Sequence, residues 1–289
     1  MPRSPGPPTV RLRRLAAELR AFRADAQLTR EQVEEQTGVN QGTLWRLETG
    51  RAKPHTGTLE TLFDLYDVPQ RRRTALVDLA SSARYPGWLL QSVEYADELS
   101  DGYATYIGFE SEAKAMHNFE TIVIPGLLQT EEYARATMVD ALPMDEAAIE
   151  RRVRVRMQRQ TILTRQREGA DPLQLWAVVD EAALHRVVGG PAVRRAQLGK
   201  LLELNDRPNV DLQVIPFANG AHPAMTGSFV RLIFGGGASD VVYEERLAGD
   251  HFLELEAEID RYGQAFDQLR ARALGPRDSS SLIAELIAR

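Results

Sequence analysis

Apolar residues recur at helical spacing through the first 80 residues of the chain. The first of these patterns places four apolar side chains three or four residues apart: Leu12, Leu15, Leu19 and Phe22. Two short helical patterns follow on either side of residues 37–39, and two more are predicted at 58–66 and 70–82. Because helices this short are unstable alone in water, the pattern predicts a compact all-helical domain with a shared core.

The two short patterns carry the end signals of helices. Thr29 is a preferred N-cap residue, and Gln32 lies three residues later, as in a capping box. Asn40 is a second N-cap residue, and Gly50 stands just past the end of the second pattern, where glycine is preferred. Spacing alone fits two structures: an ordinary helical hairpin, or a helix-turn-helix whose second helix enters the major groove of DNA.

From about residue 106 the pattern changes to short strands mixed with helices. The predicted strands are 119–124, 173–179, 210–215, 227–234, 240–245 and 251–255. The predicted helices are 110–118, 127–139, 145–167, 191–204, 257–274 and 281–288. The glycines at 235–237 predict a hairpin turn between two strands. The expected fold is therefore an all-α N-terminal helix-turn-helix domain followed by a larger α+β domain with a mainly antiparallel sheet.

A chain of 289 residues is long enough for two domains. We predict a disordered arm at 1–10, which has four prolines in its first eight residues. A helix-turn-helix domain at 11–82 and a linker with a bridging helix at 83–105 follow. An α+β regulatory domain for a ligand, a partner or dimerisation is predicted at 106–289.

The charge is distributed unevenly between these regions. Residues 1–84 carry 14 Arg or Lys and 10 Asp or Glu, a net charge of +4, and residues 85–289 carry 21 and 31, a net charge of −10. A basic head on an acidic body is what a DNA-binding regulator needs when only the head touches DNA. The chain has no cysteine, no long apolar run and no secretory signal, which predicts a cytoplasmic protein at the nucleoid and no membrane contact.

Catalytic and metal-binding patterns are missing from the sequence. There is no G-x-S-x-G elbow, no P-loop and no dinucleotide-binding glycine pattern. The five histidines lack the spacing of metal ligands, and Asp180-Glu181 is better explained as a helix N-cap than as a catalytic carboxylate pair. We expect no enzyme activity, no metal and no cofactor.

The region 12–80 closely resembles the Cro and λ-repressor class of helix-turn-helix domains, the XRE family. The resemblance rests on TREQV at 29–33, GV at 38–39, and Leu44, Arg46, Leu47, Glu48 and Gly50. It implies a DNA-contact set of Thr29, Arg30, Asn40, Gln41, Gly42, Thr43, Trp45, Arg46, Arg51 and Lys53.

Within this set the resemblance implies separate roles. Gln41 matches the glutamine that binds an adenine edge through its amide, and Thr43 can touch a thymine methyl. Arg46 is expected on a phosphate or a base edge. Phosphate and sugar contacts are expected from Arg30 at the start of the preceding helix and from Arg51 and Lys53 after the recognition helix.

Two positions depart from the class. Gly42 stands where a serine often helps to read bases, and Trp45 stands where a small polar residue is usual. Trp45 either wedges against sugars or a thymine methyl, or packs on a neighbouring subunit. Glu48 is acidic and is expected to tie the helix to Arg46 or Arg20 instead of touching DNA.

The second region resembles the C-terminal domain of actinobacterial, Streptomyces-type WhiJ-like regulators, sometimes described as antitoxin-like. The segments that carry this resemblance occur in order: YIGFE at 106–110, IPGLLQTEEYARA at 124–136, RVRVRMQRQ at 152–160, VDEAAL at 179–184 and PNVDLQVIPF at 208–217. It implies a transcriptional regulator of development or specialised metabolism that is often encoded beside a small partner protein.

Two alternatives remain for the second region. It either senses a small-molecule effector or partner in a regulator that binds its operator as a homodimer, or it is an antitoxin-like module that binds a small neighbouring protein and autoregulates the operon. A ligand pocket is hypothesised from Pro125, Leu128, Gln129 and Trp176, with buried packing as the simpler explanation of these residues.

Overall fold

The computed structural model of the protein describes residues 10–81, 99–141, 145–164, 171–235 and 239–288. Two compact units are present: the first holds residues 10–81 and 100–112, and the second holds the other described residues. Residues 1–9 of the predicted arm lie outside the described residues. Residues 83–98 of the predicted linker, with most of its bridging helix, also lie outside them. Within the described ranges, no helix combines the length and apolar character needed to cross a bilayer.

The first unit is entirely helical in its described residues, which confirms the predicted fold of this region. Its helices are α1 Val10–Asp25, α2 Arg30–Thr37, α3 Gln41–Glu48, α4 Thr56–Leu65, α5 Gln70–Ser81 and α6 Asp101–Glu112. Helices α1 to α5 share a core that includes Leu15, Leu19, Val33, Leu44, Leu47, Leu62 and Phe63. Helix α6, which crosses the boundary predicted at 106, belongs to this unit.

The second unit is built on a six-stranded sheet. Its strands are β1 Ala115–Glu120, β2 Gln174–Asp180, β3 Val210–Ile215, β4 Phe229–Ile233, β5 Val241–Arg246 and β6 Gly249–Leu253. They lie in the order β3-β2-β1-β4-β5-β6. The pairs β1–β2 and β2–β3 are parallel, and the other three are antiparallel. The predicted α+β fold with a mainly antiparallel sheet is therefore confirmed.

Helices cover this sheet. They are α7 Glu131–Ala141, α8 Glu146–Gln160, α9 Glu181–His185, α10 Pro191–Asn205, α11 Glu256–Arg272 and α12 Pro276–Ala288. Single 3-10 turns lie at Gly126–Leu128, Thr161–Leu163 and Phe217–Asn219. Helix α11 packs Ile259, Phe266 and Leu269 against Phe119 of β1 and Val178 of β2, so one face of the sheet is an apolar layer.

The elements predicted around β1 are wrong. A helix was expected at 110–118 and a strand at 119–124, whereas α6 ends at Glu112 and β1 spans Ala115–Glu120. β1 is bonded on one side to β2 and on the other to β4, so its backbone groups are satisfied by strands distant in sequence. Such pairing outweighs the local helical pattern.

Two predicted helices begin or end differently in the structure. The helix predicted at 127–139 is a 3-10 turn followed by α7, because Thr130 interrupts it and caps α7 by accepting a hydrogen bond from the Tyr133 backbone N–H at 3.2 Å. The helix predicted at 145–167 ends as α-helix at Gln160. The glycine turn predicted at 235–237 lies mostly outside the described residues, between the antiparallel strands β4 and β5.

Candidate nucleic-acid interface

Helices α2 and α3 begin as their sequences predict. The Thr29 backbone N–H donates to Gln32 Oε1 at 2.8 Å, and the Gln32 backbone N–H donates to Thr29 Oγ1 at 3.2 Å, which completes the capping box. Asn40 caps α3, because its Oδ1 accepts a hydrogen bond from the Gly42 backbone N–H at 2.9 Å. Each contact satisfies a backbone N–H group that the first turn of a helix leaves unpaired.

The turn between the helices depends on a left-handed residue. Gly38 has φ +73° and ends α2 by donating its N–H to the Glu34 carbonyl. Gly50, with φ +70°, lies just past α3, as predicted. The buried faces of α2 and α3 join the common core through Val33, Leu44 and Leu47. The opposite face of α3 is thereby turned toward solvent.

Glu48 anchors α3 from inside the unit. Its side chain is 0% exposed and accepts hydrogen bonds from Arg23 Nε at 2.5 Å and from Arg30 Nε at 2.8 Å. Arg20 donates instead to the Glu48 backbone carbonyl at 2.5 Å, and Arg46 donates to Thr43 Oγ1 at 3.0 Å. Of the two predicted partners, Arg20 does bind Glu48, although through its backbone carbonyl, whereas Arg46 bonds to Thr43 on the exposed face of α3 and the carboxylate is bound by Arg23 and Arg30.

The charge of Glu48 also shapes its neighbours. The hydrogen bond from Arg23 to Glu48 is the main cause that raises the pKa of the Arg23 guanidinium, against the opposing effect of burial. Burial raises the pKa of Tyr66 to about 12, and the negative charge of Glu48 adds to the shift. The Arg23 guanidinium therefore keeps its positive charge over the whole physiological range.

The exposed face of α3 is formed by four residues on two successive turns of the helix: Gln41, Gly42, Trp45 and Arg46. Thr43 is half-buried beside them and accepts the hydrogen bond from Arg46. The remaining members of the predicted DNA-contact set lie at the ends of α2 and α3. Thr29, Asn40, Arg51 and Lys53 are exposed and Arg30 is half-buried.

Gly42 lies close to the cap of α3. A Cβ atom at this position would lie 3.1 Å from Asn40 Oδ1, the atom that caps the helix. A side chain would therefore press on the capping contact. A serine here would have to share this space with the capping side chain, a constraint that the sequence did not reveal.

Trp45 is 40% exposed, and the Arg51 guanidinium lies 4.8 Å from the centre of its ring system. This distance is typical of a cation–π contact. The pair places an aromatic surface and a positive charge together at the C-terminal end of α3. Such a pair can meet a sugar-phosphate backbone with both parts.

Glu34 is a member of this surface that the sequence did not single out. Its Oε1 accepts a hydrogen bond from Asn40 Nδ2 at 3.1 Å, and its Oε2 accepts one from Gln41 Nε2 at 2.7 Å. Arg23, at the end of α1, was likewise missed as the main partner of Glu48. Both contacts join separate helices, so helical spacing gave no signal for them.

The residues of the hypothesised ligand pocket belong to different packing environments. Gln129 is buried and bonded: its Nε2 donates to the Ile124 carbonyl at 2.8 Å and its Oε1 accepts from Arg156 at 2.9 Å. Pro125 and Leu128 are buried in the same segment. Trp176 packs elsewhere, beside the layer that holds Phe266, and donates to Gln213 Oε1 at 2.7 Å. Trp176 and Gln129 thus bond to different elements, Trp176 to β3 and Gln129 to α8.

Two further polar side chains of the second unit, Asp180 and His117, contribute to its packing. Asp180 is the N-cap of α9, accepting from the Ala182 backbone N–H at 2.8 Å, as predicted. His117 stacks on Phe266 at 4.3 Å between ring centres, and burial, with the nearby Arg231 charge, lowers its pKa to about 4. Across the described ranges, no group of three or more His, Asp or Glu side chains is placed to hold a metal ion.

Two family models match this chain. A family model described as a helix-turn-helix domain matches residues 14–76. A second model, described as a domain of unknown function (DUF5753), matches residues 103–285, which is more than half of the chain. Neither a search of curated proteins nor one of solved structures gave a match. The exposed face of α3 thus belongs to the helix-turn-helix of a DNA-binding regulator, and the chain is a member of the DUF5753 family.

Proposed function

We propose that this protein is a sequence-specific transcriptional regulator that inserts α3 into the major groove of its operator. The proposal rests on the contrast between the two faces of α3, one buried in the core and one exposed to solvent. Leu44, Leu47 and Glu48 fix the helix from within, while Gln41 and Arg46 stand on the face turned to solvent. A rigidly held helix with polar side chains on its free face is the arrangement needed for direct readout of bases.

Gln41 is proposed to bind an adenine edge, and Thr43 and Arg46 act as a bonded pair beside it. Arg30 combines two roles in this proposal: its Nε is held by Glu48, and its side chain is still 37% exposed at the start of α2. Its outer nitrogens are therefore placed to meet a phosphate. Arg51 and Lys53 extend the positive surface beyond α3, where phosphate contacts set the affinity for any DNA.

The second unit is proposed to join two chains and to respond to a ligand or a partner protein, in line with the resemblance to WhiJ-like regulators. A dimer would place two copies of α3 in successive major grooves, about 34 Å apart. Trp45 and its stacked Arg51 then lie either against the DNA backbone or at the contact between subunits. In the antitoxin-like version, a small neighbouring protein is the partner and the DNA contacts are unchanged.

Substitution of Gln41 by alanine tests the base contact. Purified full-length protein selects binding sites from a pool of random-sequence duplexes, and the selected duplexes are sequenced. We expect Gln41→Ala to lose the preference at one base pair in each half-site, by about tenfold, because a good bidentate contact supplies about 1–3 kcal/mol of discrimination.

Gln70→Ala is the matched control, since Gln70 is an exposed glutamine at the start of α5, outside α2 and α3. It should select the same sites as the unchanged protein. Selection of that same consensus by Gln41→Ala would contradict the role of Gln41. Recovery of no consensus by the unchanged protein would contradict sequence-specific binding itself.

A further inference from the structure

Glu34 holds the two residues that begin the recognition helix. Its carboxylate lies on α2, on the far side of the Gly38 turn, and binds the side-chain amides of both Asn40 and Gln41. Each carboxylate oxygen takes one amide, at 3.1 Å for Asn40 and 2.7 Å for Gln41. The contact to Gln41 is the shorter, and it lies on the amide that is proposed to read a base.

A carboxylate accepts hydrogen bonds and donates none, so it fixes which end of each amide faces it. Asn40 turns its nitrogen to Glu34 and its oxygen to the Gly42 backbone N–H, where that oxygen caps α3. Gln41 likewise turns its nitrogen to Glu34, which commits one of its two N–H hydrogens. The carbonyl oxygen and the second N–H of Gln41 are left for another partner.

This remaining donor and acceptor discriminate between purines. In the major groove, adenine offers a donor at N6 and an acceptor at N7, whereas guanine offers acceptors at both O6 and N7. The oxygen and the second N–H of Gln41 match adenine. Guanine would require both N–H hydrogens or would place O6 against the Gln41 oxygen, so the bond to Glu34 disfavours it.

The negative charge of Glu34 acts on DNA of every sequence. Phosphates repel a carboxylate that lies a few ångströms from the groove-facing amides, and this repulsion does not depend on the bases. One side chain therefore lowers the affinity for random DNA and raises the discrimination at one base pair. Both effects increase specificity.

We propose that Glu34 is a specificity-determining residue that orients the Gln41 amide for adenine and against guanine. This inference rests on the proposed function of Gln41 as a base-reading residue. Glu34 is a positioning residue in this scheme, because it acts through Gln41 and makes no base contact of its own.

The test replaces the carboxylate by an amide of the same shape. Glu34→Gln can donate as well as accept, so it no longer fixes the orientation of Gln41. The full-length protein and its variants select sites from the pool of random duplexes, and the base pair whose preference disappears in Gln41→Ala marks the position read by Gln41. Duplexes carrying adenine or guanine at that position are then titrated with each variant by fluorescence anisotropy.

We expect Glu34→Gln to reduce the preference for adenine over guanine about tenfold and to bind random duplex several-fold more tightly. Glu35→Gln is the matched control, because it removes the same charge from the neighbouring exposed position of α2. It should leave the adenine preference unchanged. In the Gln41→Ala background, Glu34→Gln should have no further effect on base preference.

Three results would overturn the proposal. The first is an unchanged ratio of the affinities for adenine and guanine duplexes in Glu34→Gln, while Gln41→Ala still loses the preference. That result would exclude the role of Glu34 and leave the role of Gln41 intact. The second is an equal loss in Glu35→Gln, which would assign the effect to net charge. The third is a Gln41→Ala protein that keeps every preference, which removes the proposed base contact together with this inference. Thermal melting of each variant confirms that the helices are folded.

Discussion

The two units of the protein bury different kinds of polar side chain. The buried polar residues described in the first unit are Glu48, Thr105 and Glu110, whereas the described amides and arginines of α1 to α5 lie on or near the surface. The described part of the second unit buries mainly amides, with one arginine and one serine: Asn118, Gln129, Arg159, Gln197, Gln213 and Ser279. Several of these bond to backbone groups of other segments, as Gln197 does to Leu128 and Thr130.

A sequence motif has a different meaning in each unit. In the first unit the motif covers both faces of α3, since Leu44, Leu47 and Glu48 are buried and Arg46 is exposed, so the resemblance concerns both the packing of the helix and a binding surface. In the second unit the segment IPGLLQT is largely interior, and its glutamine bonds the backbone that surrounds it. A resemblance there concerns how the chain is held together, since buried polar groups need partners.

The largest effect is expected from Glu48→Ala. Removing the carboxylate leaves Arg23 and Arg30 without their buried partner, and breaking a buried pair costs about 3–5 kcal/mol. Because Arg30 is partly exposed, we expect the lower end of that range. Hydrogen–deuterium exchange of the full chain should accelerate across residues 10–81.

Glu60→Ala, at an exposed position of α4, is the control and should leave exchange unchanged. Acceleration in the second unit as large as that in the first would show that Glu48 does not act within its own unit. Unchanged hydrogen–deuterium exchange in Glu48→Ala would show that Glu48 does not anchor α3.

Gln197→Leu is expected to have the next largest effect, in the second unit. It removes the acceptor of the Thr130 backbone N–H at 2.7 Å and the donor to the Leu128 carbonyl at 2.8 Å. Buried groups left without partners cost about 1–3 kcal/mol. Faster exchange at residues 126–141 should follow, with residues 30–48 unchanged.

Gln264→Leu supplies the control, since Gln264 is exposed on α11. Equal exchange in Gln197→Leu and Gln264→Leu would mean that hydrogen bonds of buried amides do not stabilise the second unit. The proposed difference between the two units in their buried polar side chains would then have no effect on stability.

The smallest effect is a pH dependence of the second unit due to His117. Its pKa is lowered to about 4 from an ordinary value of 6.5, so between these values the unfolded chain binds a proton that the folded protein excludes. Stability is complete above pH 6.5 and falls as the pH drops toward 4. Allowing for solvent around the ring, we expect a loss of about 1 kcal/mol between pH 7 and pH 5.

His117→Phe should flatten this part of the profile, measured as the urea midpoint of the second unit by exchange or fluorescence. His251→Phe, at an exposed position of β6, should retain the slope of the unchanged protein. A slope that persists in His117→Phe would assign the pH dependence to other groups.

Sequence patterns correctly predicted the features that depend on residues close together in the chain. The caps at Thr29 and Asn40 were predicted correctly, because each depends on neighbouring residues, and the local apolar pattern at 210–215 correctly predicted β3. β1 was missed because its partners, β2 and β4, are more than 50 residues away in sequence. The bonds from Gln41 to Glu34 and from Trp176 to Gln213 join different elements, which spacing along one element does not encode.

The close approach at Gly42 limits how this protein can acquire new binding preferences during evolution. A Cβ atom there would approach Asn40 Oδ1 to 3.1 Å, so a side chain at the second position of α3 requires the capping side chain to shift by a few tenths of an ångström. Divergent members of such a lineage would change their target sites through positions 34, 41, 43, 45 and 46. A lineage in which position 40 no longer caps the helix would be the one to gain a side chain at position 42.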